Sequence, residues 1–551
     1  MSLYNKASLI QVPSLYKDGL LVSTVPEDRS GDFAVARGAN LSATRIGEDG
    51  YIKKGYENLL LQSNTFDTTW IKSSTSVTGG QAGYDGSNDA WLLEALATTA
   101  ARVEQPIVSN VCTLTIYAKS GTTNWMRLNA GTGGSVYFDL ENGVVGNLDS
   151  QNIDNSITSV GNGWYKITSV VPSTTHFRVY PATSNGSLAT AGDNIYIQDA
   201  QLNQGLVAYP YLETTTATVQ GGLLENSPRL DWSNGVPAVL VEPSRTNLIT
   251  QSEYITGTIR ATITHNQAIS PEGLQNATLL VDSTDANNHQ GGGGLANLGE
   301  TDTAVFSIFA KKQNNRYINL RIIDDAAGTG TGANFYNATF DLENGVVTDD
   351  FESATPTNPF SDIEDYGNGW FRCWVGLTKK SGVARTDYSV YLVNSSAAGA
   401  NPTYAGTGND GNYLYGAQLE EGSYPTSYIP TYGTSQTRSS ETISDNFNIP
   451  TTATIYNSFY SDVAETVFVL DQVFDVVVGL NKVAIAFSPT AVKISVGGSI
   501  VANATGTYDT SSLTNIQLGS DNGSDYSNAP ISGFYVFPEF LTDEELNSLT
   551  A

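Results

Sequence analysis

Apolar and polar residues alternate along most of this chain. Leu114-Thr115-Ile116-Tyr117-Ala118-Lys119 and Trp164-Tyr165-Lys166-Ile167-Thr168-Ser169-Val170-Val171 show the pattern early, and Ala304-Val305-Phe306-Ser307-Ile308-Phe309-Ala310-Lys311 and Tyr413-Leu414-Tyr415-Gly416-Ala417-Gln418-Leu419 show it later. Period-two alternation predicts half-buried strands. Many short strands with turn signals between them predict an all-β protein of antiparallel β-sandwiches, of the jelly-roll kind. The clearest helix signal lies near the end, where Thr542 and Glu545 have capping-box spacing.

The pattern is written twice. Asn58-Leu59-Leu60-Leu61-Gln62-Ser63 returns as Asn247-Leu248-Ile249-Thr250-Gln251-Ser252, Phe138 to Val145 returns unchanged at Phe340 to Val347, and Gly161-Asn162-Gly163-Trp164 returns as Gly367-Asn368-Gly369-Trp370. Colinear self-similarity of this kind predicts a duplicated domain. The offset between copies grows from 189 at Asn247 to 217 at Ala417 against Ala200, so the second copy carries insertions, which belong in surface loops. The expected layout is an extended leader over 1–56, sandwiches over 57–215 and 246–435, a packed connector over 216–245, and an unlike β domain over 436–551. Residues 89–105 look helical by propensity, yet their counterpart Ala277-Thr278-Leu279-Leu280-Val281 is β-branched, so both copies are expected to form strand.

Composition narrows the function. Against 27 Lys+Arg stand 55 Asp+Glu, a net charge of -28, which opposes nucleic acid and anionic membrane surfaces at long range. No apolar run approaches the ~20 residues of a membrane span, and Met1 to Lys6 lack a signal peptide's charged start and apolar stretch, so synthesis in a cytoplasm without export by that route is expected. Cys112 and Cys373 fall in different copies and are expected as buried free thiols.

Catalytic patterns are missing: there is no GxSxG elbow, HExxH or phosphate loop. His176, His265 and His289 lack metal-ligand spacing and are expected on surfaces or loops, as is the glycine run after His289. The chain is therefore expected not to be an enzyme, to have no catalytic residue, and to need no cofactor or resident metal. Two acidic clusters could hold calcium, Asp349-Asp350-Phe351-Glu352 with Asp362, Glu364 and Asp365, and Asp521-Asn522-Gly523-Ser524-Asp525, although neither has an EF-hand pattern. Trp164 and Trp370 are the candidate carbohydrate-binding residues, because an indole face complements a pyranose. Each also opens a strand after a tight turn, where a large aromatic closes a core's end, and that reading weighs more.

Ala43-Thr44-Arg45 with Glu48-Asp49-Gly50, the Asn58 block followed by Phe66-Asp67-Thr68-Thr69-Trp70, and the closing blocks Gln418-Leu419-Glu420-Glu421-Gly422 and Ser427-Tyr428-Ile429-Pro430-Thr431 resemble a group of bacteriophage virion proteins. Tyr211 keeps the position of Tyr428 in the first copy. In that group the module is a concanavalin A-like, carbohydrate-binding-like β-sandwich of tail fibres, tail spikes and head fibres. The segment from Lys482 to Leu546 is similar to the second half of laminin-G-like sandwiches, with fewer strands than a complete one. The resemblance implies an external virion protein that recognises a host-surface glycan or receptor, docks to other virion proteins through its leader, and forms a homo-oligomer, a trimer before other states. The alternatives are a capsid or tail decoration without receptor binding, and a glycan depolymerase.

Overall fold

The computed structural model describes the chain apart from residues 1–2, 14–15, 18, 39–40, 299–301, 325–333, 354–355, 380–384, 398, 462–464, 512, 514–515 and 520–529. The protein is all-β, with antiparallel sheets and one C-terminal α-helix, Asp543–Thr550. Thr542 Oγ1 accepts from the Glu545 backbone N–H (3.3 Å) while Glu545 Oε2 accepts from the Thr542 N–H (2.9 Å), the reciprocal cap that the spacing predicts.

The two copies fold to one plan. In the first, one six-stranded sheet runs in the order Val144–Leu148, Ser135–Asp139, Trp125–Asn129, Thr174–Ala182, Arg102–Ser109, Ile71–Ser73; the other runs Asp154–Gly161, Trp164–Val171, Cys112–Ser120, Asn194–Gln204, Ala90–Ala95, Thr75–Gln81. The second copy has the same two orders, strand for strand, in Val346–Ser353 through Thr258–Ile259 and Thr357–Asp365 through Ala261–Ala268. Residues 90–95 and 102–109 are strands, so tertiary pairing overrides the helix propensity there. Between the sheets, Leu114, Met126, Leu128, Val136, Phe138 and Val179 form one core, and Phe306, Leu320, Ala338, Phe340 and Val390 form its equivalent. Cys112 and Cys373 are buried free thiols in these cores, and burial pushes the Cys112 thiol up to about 12.

The repeated blocks are where each sandwich closes. Asp139 Oδ1 accepts from the backbone of Glu141 and Asn142, and Asp341 does the same for Glu343 and Asn344, so each hairpin is fixed by its own carboxylate. Asn162 and Asn368 sit at φ 52° and 54° between glycines, a left-handed turn that a bulkier residue resists. The glycine run after His289 is a strand, not a loop: His289–Asn297 pairs with Arg385–Val393. A Cβ at Gly291 would stand 2.4 Å from Leu280 Cδ1, so the glycines admit a close crossing rather than mobility.

Residues 1–56 are not a bare extended segment. Leu9–Gln11 pairs with Ile531–Phe537, and Phe33–Ala36 lies between Leu20–Leu21 and Thr442–Asp445 in a five-stranded sheet. Leu9, Leu21 and Phe33 share a core with Ile443, Val492 and Val536. Connector strands Arg229–Asp231 and Ala238–Leu240 complete the opposite sheet, with Val239 opposite Ile531. The strands that the C-terminal segment lacks are thus supplied by its own chain. Strands of two to four residues are too short to leave a periodic trace, and two of them, Leu9–Gln11 and Phe33–Ala36, join the domain through partners hundreds of positions away.

Two buried ionic clusters lock the parts together. Lys54, on the strand Ile52–Asn58 ahead of the first sandwich, contacts Glu253 Oε1 (2.5 Å) and Glu272 Oε2 (3.0 Å) of the second, with Tyr209 from the first copy donating to Glu272 Oε1 (2.6 Å). Arg229 from the connector pairs with Glu441 (2.7 Å) and Glu242 (2.5 Å), and Arg438 also reaches Glu242 (3.1 Å). Charges this deep persist only when mutually paired.

Candidate functional site

Trp164 and Trp370 do not offer sugar platforms. They are 1% and 2% exposed. Trp370 Nε1 donates to the Ile269 carbonyl (2.9 Å), and its ring packs with Phe309, Tyr415 and Tyr428; Trp164 stands edge-on to Tyr84. Neither faces the core between the sheets: Tyr165, Ile167 and Val171, and likewise Phe371, Cys373 and Val375, take that side, so each tryptophan is buried on the outer side of its sheet, which corrects the expectation that it closes the core. Tyr211 and Tyr428 are bonded to Ser63 Oγ (2.7 Å) and Ser252 Oγ (2.6 Å).

The residues that differ between copies point elsewhere. Met126, Leu128, Val136, Phe138 and Val179 face the first core, so the alternate positions on the same strands face outward. Register aligns four of them in one row across four strands: Tyr137 opposite Arg127, Arg127 opposite Tyr180, and Tyr180 level with Arg102. The Arg127 guanidinium lies 5.7 Å from the Tyr137 ring and 5.2 Å from the Tyr180 ring, and Arg102 lies 5.8 Å from Tyr180 on the other side. Stacked guanidinium and phenol planes hold one another in fixed orientation. Trp125, half-buried, lies one pair further along, opposite Asp139 and Ala182.

A second row supplies polar partners. Glu104 accepts from both Arg102 (3.0 Å) and Arg178, and its carboxyl is held below the usual range because these arginine bonds outweigh its burial. Arg178 also donates to Asn129 (3.3 Å), and Ser135 Oγ accepts from Arg127 (3.1 Å) and donates to Asp149 (2.9 Å). Tyr137, Arg127, Arg102 and Arg178 keep partial exposure. Among the described residues the Tyr137 and Tyr180 hydroxyls make no protein hydrogen bond. The result is a row of rings and guanidinium groups standing side by side, with Tyr180 buried (5% exposed) between Arg127 and Arg102, so that what the row offers a ligand is the exposed part of Tyr137 and the donors of Arg127, Arg102 and Arg178, suited to hydroxyl or anionic groups.

In the second copy the same face is closed. The positions of Arg102, Tyr180, Arg127 and Tyr137 are held by Gln290, Tyr391, Asn319 and Thr339, paired in the same register. Main-chain carbonyls lie over this face: Ala397 accepts from Thr339 (3.4 Å), Gly399 from Asn337 (2.9 Å) and Ala400 from Arg321 (3.3 Å). They belong to the segment between Arg385–Val393 and Gly411–Glu421, where the offset between copies rises from 211 (Tyr391 against Tyr180) to 217. The corresponding first-copy segment reaches only the sheet edge, where Asn185 Oδ1 accepts from the Asn147 N–H (2.7 Å). The signal that could have located the site was in the sequence: outward positions that fail to repeat, next to an insertion.

Other candidates belong to the architecture. Cavities of about 570 and 260 Å³ flank the Lys54 cluster and share Tyr56 and Tyr209. The Glu253 carboxyl there is pushed up by burial, with Lys54 opposing, and its role is to seat Lys54. The carboxylates from Asp349 to Asp365 are exposed on two edge strands, and among the described residues no three acidic, His or Cys side chains group to hold a metal. The Asp521 to Asp525 cluster lies outside the described residues. His176, His265 and His289 all sit in strands, and His289 is fully buried with Nδ1 2.7 Å from the Arg260 carbonyl, which corrects the loop expectation. No described helix is long and apolar enough to cross a membrane.

No family model and no curated protein matches the sequence. Among solved structures the chain is similar to the N-terminal CBM22-1-CBM22-2 tandem domain of Xyn10C from Paenibacillus barcinonensis, at 10% identity over 70% of this chain and 100% of that one, with a TM-score of 0.19. A likeness that loose places no site on this chain.

Proposed function

We propose that this chain is a structural protein of a bacteriophage virion, carried outside the particle as a fibre or similar appendage, and that it binds a host-surface glycan without cleaving it. The binding half rests on one observation: Arg102, Arg127 and Tyr137, with Trp125 beside them, keep partial exposure on the first copy's sheet face, while Asn319, Thr339 and Tyr391 at the equivalent face of the second are buried beneath a loop. The virion half rests on the resemblance of the opening and closing blocks. A trimer fits such an appendage.

The test is electrophoresis of the purified full chain through gels containing host surface polysaccharide, with an assay for new reducing ends. Retardation without new ends is expected. Unretarded migration contradicts the glycan half, and oligosaccharide release contradicts the non-enzymatic half. Antibody labelling confined to the head would favour the decoration reading.

A further inference from the structure

The glycan reading leaves the sugar class open, and the charge on the face narrows it. With 27 cationic side chains against 55 acidic ones, positive charge is scarce in this chain, yet Arg102, Arg127 and Arg178 share one sheet face. Arg102 and Arg178 divide a single carboxylate, Glu104. Arg127 has none: among the described residues no acidic group lies within ion-pair distance, it donates only to Ser135 Oγ (3.1 Å), and its Nε is buried without a partner. The two other acids on the face are engaged elsewhere: Asp149 is bonded to Ser135 (2.9 Å), and Asp139, opposite Trp125, accepts from the N–H groups of Glu141 (2.9 Å) and Asn142 (3.2 Å) and from the Asn142 amide (2.9 Å).

A guanidinium partly withdrawn from water and left without an anion is costly unless a ligand completes it. The Tyr137 and Tyr180 rings fix its plane, so its fork meets an incoming carboxylate, sulfate or phosphate already oriented. Asn319, at the same position in the covered second copy, carries no charge. The chain's net -28 repels an anionic polymer at a distance, but at physiological ionic strength that field is screened beyond about 8 Å while a contact pair is not.

We infer, building on the glycan reading, that the first-copy sheet face takes an acidic glycan, with the anionic group of one sugar seated on Arg127. The test is an array printing polygalacturonate, sulfated dextran and phosphorylated mannan beside the carboxyl-reduced, unsulfated and unphosphorylated chains, probed with the full-length protein, Arg127→Gln and Arg127→Lys. Binding confined to one or more acidic members is expected, about tenfold weaker for Arg127→Gln and partly kept by Arg127→Lys, whose charge remains. The acid-reduced pair tells which anionic group is read. Equal binding to neutral counterparts, or a preference untouched by Arg127→Gln, overturns this inference and leaves glycan binding standing. No binding to any member, acidic or neutral, overturns both. Matching melting curves for the three proteins keep a folding defect from passing as lost binding.

Discussion

Asn58 and Asn247, 189 positions apart, make the same four hydrogen bonds. The Asn58 amide donates to the carbonyls of Ala200 (3.2 Å) and Leu212 (2.8 Å) and accepts from the N–H groups of Leu60 and Leu202 (both 3.2 Å). Asn247 donates to Ala417 (3.1 Å) and Ile429 (2.8 Å) and accepts from Ile249 (3.1 Å) and Leu419 (3.2 Å). One fully buried side chain ties the first residues of each sandwich to its last strand and to the chain leaving it. Duplication preserved these closures and released the outward faces to diverge.

Replacing Asn58 by Ala strands two main-chain carbonyls and two N–H groups in the interior. A loss of about 3 kcal/mol is expected, with the same for Asn247→Ala. Denaturant melts reporting each sandwich separately check this, and each substitution should lower the transition of its own copy.

Deleting residues 1–37 should unfold the third sandwich while sparing the two copies. Phe33–Ala36 is an interior strand, and its removal opens the edge of Thr442–Asp445 and uncovers Ile443 and Val536. Calorimetry of the shortened chain should lose one transition, and a hydrophobic dye should bind where the full chain excludes it.

Acid should release the clamp at Glu242. Burial alone would raise this carboxyl, but Arg438, Arg229 and the Ser427 bonds outweigh burial and hold it at about 2. Its folded value lies below its unfolded one, so its contribution, on the order of 3 kcal/mol, is present above about pH 4.5 and lost as pH falls toward 2. Glu242→Gln should be less stable at pH 7 and show a flatter acid limb in a stability-versus-pH series.

Asp199 should behave in the opposite sense. Burial, helped by Asp89 and Asp85 and opposed by the Tyr84 hydrogen bond, raises it to about 6. Stability therefore falls as pH rises from about 4 to 6 and stays lower above that. Asn tolerates the backbone there, at φ 52°. Asp199→Asn should gain about 2 kcal/mol at pH 7 and nothing at pH 4, measured by thermal melts at both.

The sandwiches, the strand at 90–95 and the terminal helix were legible in the sequence because each rests on local periodicity or on comparison between copies. The leader was not, since Ala34 to Ala36 meet Thr442 to Ser444 only after the chain has folded back across some four hundred positions. Nor was the face at Arg127. A tryptophan after a turn, such as Trp164, announces size but not surroundings: it lies on the outer side of its sheet, yet Tyr84 packs against it and it is 1% exposed. The row from Tyr137 to Arg102 exists only once four strands separated by up to 78 positions are in register (Tyr180 against Arg102).

The most direct measurement of the central claim is the affinity of host surface polysaccharide for four full-length proteins: wild type, Tyr137→Ser, Arg127→Gln and, as the covered-face control, Asn319→Ser. Losses of about tenfold are expected for the two first-copy substitutions and none for Asn319→Ser, with thermal transitions of the first two unchanged. Wild-type affinity in both first-copy variants would contradict the claim.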